Sequence, residues 1–135
     1  MIALAHLLAG VAFALAPGAA PAASKDAALQ GNAKNGEAIY DRCLACHALA
    51  YDRTGPRHCG LFGRRAGSVK GFEYSDAMKH SKIVWNAKTL DRFLANPLLT
   101  VPGTAMGYAG VTDRKERTDL IAYLKRANES SQCSK

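Results

Sequence analysis

The clearest pattern of apolar and polar positions lies near the C-terminal end of the chain. Four apolar residues recur there at i, i+3, i+4 and i+7: Leu120, Tyr123, Leu124 and Ala127. This spacing places side chains on one face of an α-helix. Asp113 and Glu116 form a start that resembles a capping box, with Asp in place of the usual Ser or Thr. The pattern predicts a helix that begins just after Asp113.

Shorter helices are predicted upstream by apolar stripes and N-cap residues. The segment 33–46 tolerates a helix, and Ser75 can cap a short one that ends at His80. Asn86 can cap a helix that ends at Ala95, because the residue before Pro97 avoids the helical region. No segment alternates as a strand would. Glycine and proline punctuate residues 48–71, so we expect an all-α fold with long loops, which in compact domains usually surround something.

The first residues predict an export signal rather than part of the fold. Residues 2–16 are apolar except for His6, and residues 17–23 are prolines and small residues. We therefore expect a signal peptide over 1–22 and one domain over 23–135. The apolar run is shorter than the ~20 residues that a membrane span needs. No Lys or Arg precedes the apolar core, which departs from the usual signal-peptide pattern. A buried N-terminal helix is the alternative.

The formal charge of +7 falls entirely on the predicted domain. It permits nucleic acid, an anionic membrane or an acidic protein as a partner. The basic residues form scattered pairs, without the interleaved aromatic residues of a nucleic-acid surface. We therefore predict no nucleic-acid partner and no stable membrane insertion.

The motif that carries chemistry is Cys43-Leu44-Ala45-Cys46-His47, the spacing of c-type haem attachment. Two thiols on one helical turn can each add to a haem vinyl group, and the adjacent histidine faces the iron. The alternatives are a disulfide, a redox dithiol and a zinc site. A redox pair does not require the following histidine, and export disfavours reduced thiols. A zinc site would need His58 and Cys59 in an unfamiliar spacing.

A second axial ligand would distinguish an electron carrier from a haem that binds gases or peroxide. Met1 would be lost with the signal peptide, and Met78 falls in a predicted helix. Met106 follows Pro102-Gly103-Thr104, a loop whose glycine freedom can bring a thioether to the iron. We predict His47 and Met106 as the metal ligands, with an open-site haem enzyme as the alternative.

Several motifs, in order, resemble class I cytochrome c of the mitochondrial and bacterial c2 type. They are Thr54-Gly55-Pro56, Gly60-Leu61-Phe62-Gly63-Arg64, Gly71-Phe72-Glu73-Tyr74, Trp85, Pro102-Gly103-Thr104 with Met106, and Asp119-Leu120-Ile121-Ala122-Tyr123-Leu124. The resemblance implies that the N- and C-terminal helices pack together, with Gly36 and Tyr40 at their contact. It also implies that short helices and long loops wrap one covalent haem c.

The resemblance implies a functional role for several individual residues of this chain. Pro56 matches the residue whose carbonyl binds the Nδ1–H of the ligating histidine. Thr104 matches one member of a hydrogen-bond network beside the methionine, and Tyr108 matches an aromatic residue that shields the haem edge. Three residues match the partners of the haem propionates: Arg64, Tyr74 and Trp85.

The departures from the family are as informative as the matches. Met78 and Phe93 stand where relatives have Asn and Tyr beside the methionine ligand, so we expect a drier pocket. His58 replaces a leucine that lines the haem in relatives, and we expect a packed or half-solvated side chain rather than a ligand. Relatives carry lysines around the haem edge, where this chain has three apolar residues: Leu98, Leu99 and Ala105.

The resemblance implies a soluble periplasmic one-electron carrier, monomeric and not an enzyme. It would serve redox protein partners such as a quinol-oxidising complex, an oxidase, a reaction centre or a dehydrogenase. In the implied fold the loop at Cys59 and the end of the last helix can meet. These two cysteines are not needed for haem attachment, and we predict a disulfide between Cys59 and Cys133.

Overall fold

The computed structural model describes residues 31–134, so the predicted signal peptide lies outside the described residues. Five α-helices occupy this range: α1 Ala33–Tyr40, α2 Asp76–His80, α3 Ala87–Ala95, α4 Pro97–Thr100 and α5 Arg114–Asn128. A 3₁₀ turn, Asp41–Cys43, continues α1. Within residues 31–134, strand-like pairing is limited to one isolated bridge between Arg65 and Val84. The expected all-α fold is confirmed.

The helix starts follow the predicted caps. The side chains of Ser75 and Asn86 accept hydrogen bonds from the first turns of α2 and α3. Asp113 accepts from the backbone N–H of Glu116 at 2.7 Å. The reciprocal half of the expected capping box is absent, because the Glu116 carboxylate accepts two hydrogen bonds from Arg42 instead. The Glu116 side chain thus binds Arg42 instead of the backbone at the helix start, where the local pattern placed it.

The predicted helix over 33–46 is shorter than expected, and α4 was not predicted. The α-helical part ends at Tyr40, and turns carry the chain on to Cys46. Asn96 is extended, as the residue before a proline must be, and its side chain then caps the four-residue α4. Proline at the first helical position favours this short helix.

The N- and C-terminal helices pack against each other at close range. Gly36 is buried on α1, and a Cβ atom there would collide with the Asp119 backbone and with the Tyr123 side chain. The rings of Tyr40 and Tyr123 lie 5.1 Å apart between their centroids. Asp119 extends the contact, since it accepts from the backbone N–H of Asn32, the N-cap of α1, at 2.7 Å.

The remaining core lies between α3, α5 and the loop over residues 44–75. Leu90, Phe93 and Leu94 are the buried residues of α3, and the rings of Phe93 and Trp85 lie 5.0 Å apart. None of the helices within residues 31–134 is long and apolar enough to cross a membrane. These elements surround a cavity that all of the predicted site residues reach.

Candidate functional site

A cavity of about 550 Å³ opens between α3, α5 and the loops. This volume lies within the ~300–1,000 Å³ typical of cofactor sites. Its walls combine apolar side chains of the core with a few polar groups. All ten predicted site residues line it: Cys43, Cys46, His47, Pro56, Arg64, Tyr74, Trp85, Thr104, Met106 and Tyr108. The fold therefore brings together residues that span more than sixty positions of the chain.

His47 is held at the cavity wall by its backbone surroundings. Its side chain is buried, and its Nδ1–H donates to the carbonyl oxygen of Pro56 at 2.7 Å. Gly55 packs against the ring so closely that a Cβ atom at this position would collide with it. Burial also lowers the pKa of His47, which favours the neutral imidazole. Nε2 therefore remains as the nitrogen that can bind a metal.

Met106 reaches the same cavity from the loop between α4 and α5. Its backbone N–H donates to Oγ1 of the buried Thr104 at 3.3 Å. Met78 is also buried and also lines the cavity, as does Phe93. The two substitutions that predicted a drier pocket thus place a thioether and a phenyl ring in its wall.

Arg64 lies at the cavity with part of its hydrogen-bonding capacity already used. Its Nη1 donates to the carbonyl of Cys59 and its Nη2 to the carbonyl of Arg57, each at 2.9 Å. A guanidinium carries five N–H groups, so donors remain for a carboxylate. Burial lowers the pKa of Arg64 from its ordinary high value. Tyr74 lies close by, and burial raises the pKa of its hydroxyl.

His58 makes contacts that the sequence did not predict. Its ring stacks on the ring of His47, with centroids 4.3 Å apart and planes 20° apart. Its Nδ1 is hydrogen-bonded to the hydroxyl of Tyr40 at 2.9 Å. Burial, followed by the proximity of His47 and Arg64, lowers the pKa of His58 well below 6.5. The signal in the sequence was a histidine where relatives have leucine. Nothing in the sequence indicated that Tyr40 of α1 would be its partner.

The cysteine contacts bear on the alternatives to haem. Burial raises the pKa of the Cys43 thiol to about 11, whereas a redox-active thiol needs a lowered pKa. Cys59 lies beside Cys133, with Cα atoms 5.1 Å apart, within the range of a disulfide. Among residues 31–134 no three His, Cys, Asp or Glu side chains are grouped so that they could hold a metal ion. The structure thus does not assemble the conceivable zinc site.

The cavity fits a covalently attached haem by the chemistry of its lining. Cys43 and Cys46 supply two thiols, while His47 and Met106 supply an imidazole and a thioether. Imidazole with thioether is the ligand pair of electron-carrying haem proteins. The exposed area of the lining is mostly apolar, as a porphyrin requires, and Arg64 offers a positive charge for its carboxylates.

The comparisons with known proteins agree with this geometry. A family model described as cytochrome c matches residues 33–128. The chain is 43% identical over 119 residues to cytochrome c2 of Blastochloris viridis, covering 86% of this chain and 89% of that one. It is 42% identical over 109 residues to cytochrome c of Sesamum indicum, covering 78% and 98% respectively.

A solved structure has the same fold. Cytochrome cH from Methylobacterium extorquens superposes with a TM-score of 0.69 at 40% sequence identity, covering 71% of this chain and 99% of that one. The fold, the chemistry of the cavity lining and the sequence identity all indicate the same family. The chain belongs to the cytochrome c family, whose members carry electrons on one covalently bound haem c rather than catalyse a reaction.

Proposed function

We propose that this protein is a periplasmic one-electron carrier whose haem is attached at Cys43 and Cys46 and ligated by His47 and Met106. The observation that carries the proposal is that all four side chains line one apolar cavity. Both thiols would hold the haem as thioethers to its vinyl groups, beside His47. The bound haem supplies an iron that cycles between Fe(II) and Fe(III).

His47 and Met106 would hold the haem iron in both oxidation states, and each is itself held by a hydrogen bond. The Pro56 carbonyl orients the imidazole and raises its basicity, since it accepts the Nδ1–H at 2.7 Å. Thr104 holds the backbone of Met106. A thioether favours Fe(II) over Fe(III) and raises the reduction potential. With His47 and Met106 as its two protein ligands, a bound haem would supply electron exchange without binding a substrate.

Arg64, Tyr74 and Trp85 are the proposed partners of the haem propionates. Arg64 and Tyr74 line the cavity from the loop over residues 44–75, and Trp85 lines it from the loop before α3. Arg64 retains N–H groups beyond those donated to carbonyls. Pairing with Arg64 offsets the cost of burying carboxylates. Tyr108 lies in the loop that carries Met106 and would cover the exposed edge of the haem.

Electron donor and acceptor are proposed as other redox proteins. The N-terminal pattern of residues 1–22 supports export. A protein in that compartment can serve a quinol-oxidising complex and an oxidase, a reaction centre or a dehydrogenase. We propose that it works as a monomer that diffuses between them.

The test combines haem content with the occupancy of the sixth position. Intact mass and a pyridine haemochrome assay should give one covalent haem per chain, and a redox titration should fit one electron. The Cys43→Ala and Cys46→Ala variants should each lose a thioether, whereas Cys59→Ser should keep both. Rapid CO binding to the ferrous protein, or high-spin ferric haem, would instead support the gas-binding or peroxidase alternative.

A further inference from the structure

The cavity wall beside His47 contains a second histidine that the proposed function does not use. The planes of the two imidazole rings are 20° apart and their centroids are separated by 4.3 Å, so the face of one ring covers the face of the other. The Pro56 hydrogen bond restrains His47 at one ring nitrogen. His58 restrains His47 in a different way. Its ring packs against the face of the His47 ring and so opposes rotation of that ring.

The backbone at His58 is fixed on every side. Its N–H donates to the carbonyl of Ala48 at 3.0 Å, and its carbonyl accepts from Leu61 at 3.0 Å. The carbonyls of the residues before and after it both accept hydrogen bonds from Arg64. The His58 backbone therefore cannot move away from His47 without breaking several hydrogen bonds.

The His58 side chain is fixed in turn by Tyr40. The tyrosine hydroxyl is hydrogen-bonded to Nδ1 of His58 at 2.9 Å, and its ring meets the imidazole edge-on at 60°. Tyr40 is buried and packs against Tyr123 of α5. The chain of contacts thus runs from the interface of α1 and α5 through Tyr40 and His58 to the face of His47.

We propose that His58, held by Tyr40, is a positioning residue that sets the plane of the His47 imidazole. The proposal rests on the proposed function, since it takes His47 as the proximal ligand. The orientation of that imidazole plane, together with that of the thioether ligand, sets the magnetic axes of low-spin ferric haem. A change in the plane therefore alters the spread of the four haem ring-methyl shifts in the NMR spectrum, whether or not activity or stability changes.

The experiment measures these shifts in ferric holoprotein for three variants. Tyr40→Phe removes one hydroxyl and leaves the ring, His58→Leu removes the stacked imidazole, and Tyr40→Phe with His58→Leu removes both. We expect His58→Leu to change the spread, Tyr40→Phe to change it less and in the same direction, and the double variant to match His58→Leu. Tyr123→Phe, which alters the other aromatic neighbour of Tyr40, is the control and should leave the spread unchanged.

The outcomes separate this proposal from the proposed function. Unchanged shifts in Tyr40→Phe and in folded His58→Leu would overturn the positioning role while leaving His47 as ligand. High-spin haem only in His58→Leu would overturn it too, because His58 would then be a ligand itself. High-spin haem in the unaltered protein would contradict the proposed function. Tyr40→Phe, a change of one atom, keeps the test valid if His58→Leu fails to fold.

Discussion

At the scale of single residues, Asp119 shows how one carboxylate can join two helices. It lies on α5 with 4% of its surface exposed, and it accepts from the backbone N–H of Asn32 and from Nζ of Lys115, each at 2.7 Å. Asn35 adds a longer contact at 3.4 Å. The Lys115 hydrogen bond, followed by the Asn32 hydrogen bond, lowers the pKa of Asp119.

We predict that Asp119→Asn lowers the free energy of unfolding by roughly 1 kcal/mol at neutral pH, since a charge-assisted hydrogen bond is weakened but solvent screens the Lys115 contact. Because the pKa of Asp119 is lower in the folded state, its contribution is full above the unfolded value of about 3.9. The difference from the unaltered protein should shrink as pH falls through the folded pKa. Urea unfolding from pH 7 downward measures it.

Glu73→Gln is the matched control for this prediction. The Glu73 carboxylate is 94% exposed and lies 3.6 Å from Lys79. Its removal should change stability little at any pH. A difference for Asp119→Asn that stays constant down to pH 3, well below the unfolded pKa of about 3.9, would show that the carboxylate charge is not what stabilises the contact.

The residues that sequence analysis missed are those whose partners lie far along the chain. The sequence indicates Asp119 only as part of a family motif, because its partner Asn32 is 87 positions away. His58 was expected to be packed or half-solvated, and the structure adds its stacking on His47. Pro56 was placed by resemblance, because no local pattern indicates which carbonyl a histidine will reach.

At the scale of elements, the loop that carries Met106 is anchored at both ends. The N–H of Val111 donates to the carbonyl of Leu94 at 2.8 Å, and Oγ1 of Thr100 donates to the carbonyl of Arg92 at 3.0 Å. Gly110, with a φ of 104°, packs so closely on the end of α3 that a side chain there would collide with it. The segment between these anchors contains no Lys and no His.

We predict that Met106 stays bound to a higher pH than in relatives that exchange their methionine for a lysine of this loop. Here an amine would have to come from outside the anchored segment, for example from Lys79 of α2, at the cost of breaking packed structure. Phe93 and Met78 also make entry of hydroxide less favourable. A pH titration of the ferric protein, followed by the Met–iron band and by magnetic resonance, measures the exchange.

Ala105→Lys is the variant that tests the reason for this prediction. It places an amine beside Met106, at a position where relatives carry lysine, and it should lower the pH of the exchange and give a lysine-ligated form. A lysine-ligated form in the unaltered protein, abolished by changing one lysine, would show that the interpretation of the loop is wrong.

Helix boundaries were predictable where a local signal sets them and unpredictable where tertiary contacts do. The side chains of Ser75, Asn86 and Asp113 each accept a hydrogen bond in the first turn of the helix that they precede. Helix α4 has only four residues and no apolar period, so its existence depends on Asn96 and Pro97 together.

At the scale of the whole molecule, the positive charge does not concentrate where relatives have it. Leu98 and Leu99 are 50% and 78% exposed on α4. Arg42, next to the attachment motif, is paired with Glu116 through two hydrogen bonds of 2.8 and 2.9 Å. The residues around the Met106 loop therefore offer an apolar surface rather than a ring of cations.

We predict that electron transfer with the physiological partner depends weakly on salt. Steering acts through charges near the docking face and is screened within about 8 Å at physiological ionic strength. Stopped-flow rates across a salt series measure the dependence. A variant with lysine at positions 98, 99 and 105 should show a steeper fall of rate with salt. An equally steep fall in the unaltered protein would contradict the prediction.

The predicted disulfide closes a loop that includes most of the domain. Cys59 and Cys133 are 74 positions apart, so on the chain-entropy model the bridge stabilises the fold by about 4 kcal/mol. We expect Cys59→Ser and Cys133→Ser to lower the free energy of unfolding equally, and the double variant no further. Thiol titration of the denatured, unreduced protein should find no free cysteine, and two free thiols would rule the bridge out.

We propose that Met106, and not Met78, binds the haem iron opposite His47. Both methionines line the cavity, which makes them matched candidates. The measurement is the weak Met–iron band at the red edge of the ferric visible spectrum, compared in the unaltered protein, Met106→Leu and Met78→Leu. We expect the band to be present in the unaltered protein, lost in Met106→Leu and kept in Met78→Leu. A band that survives in Met106→Leu, or is absent from the unaltered protein, would contradict it.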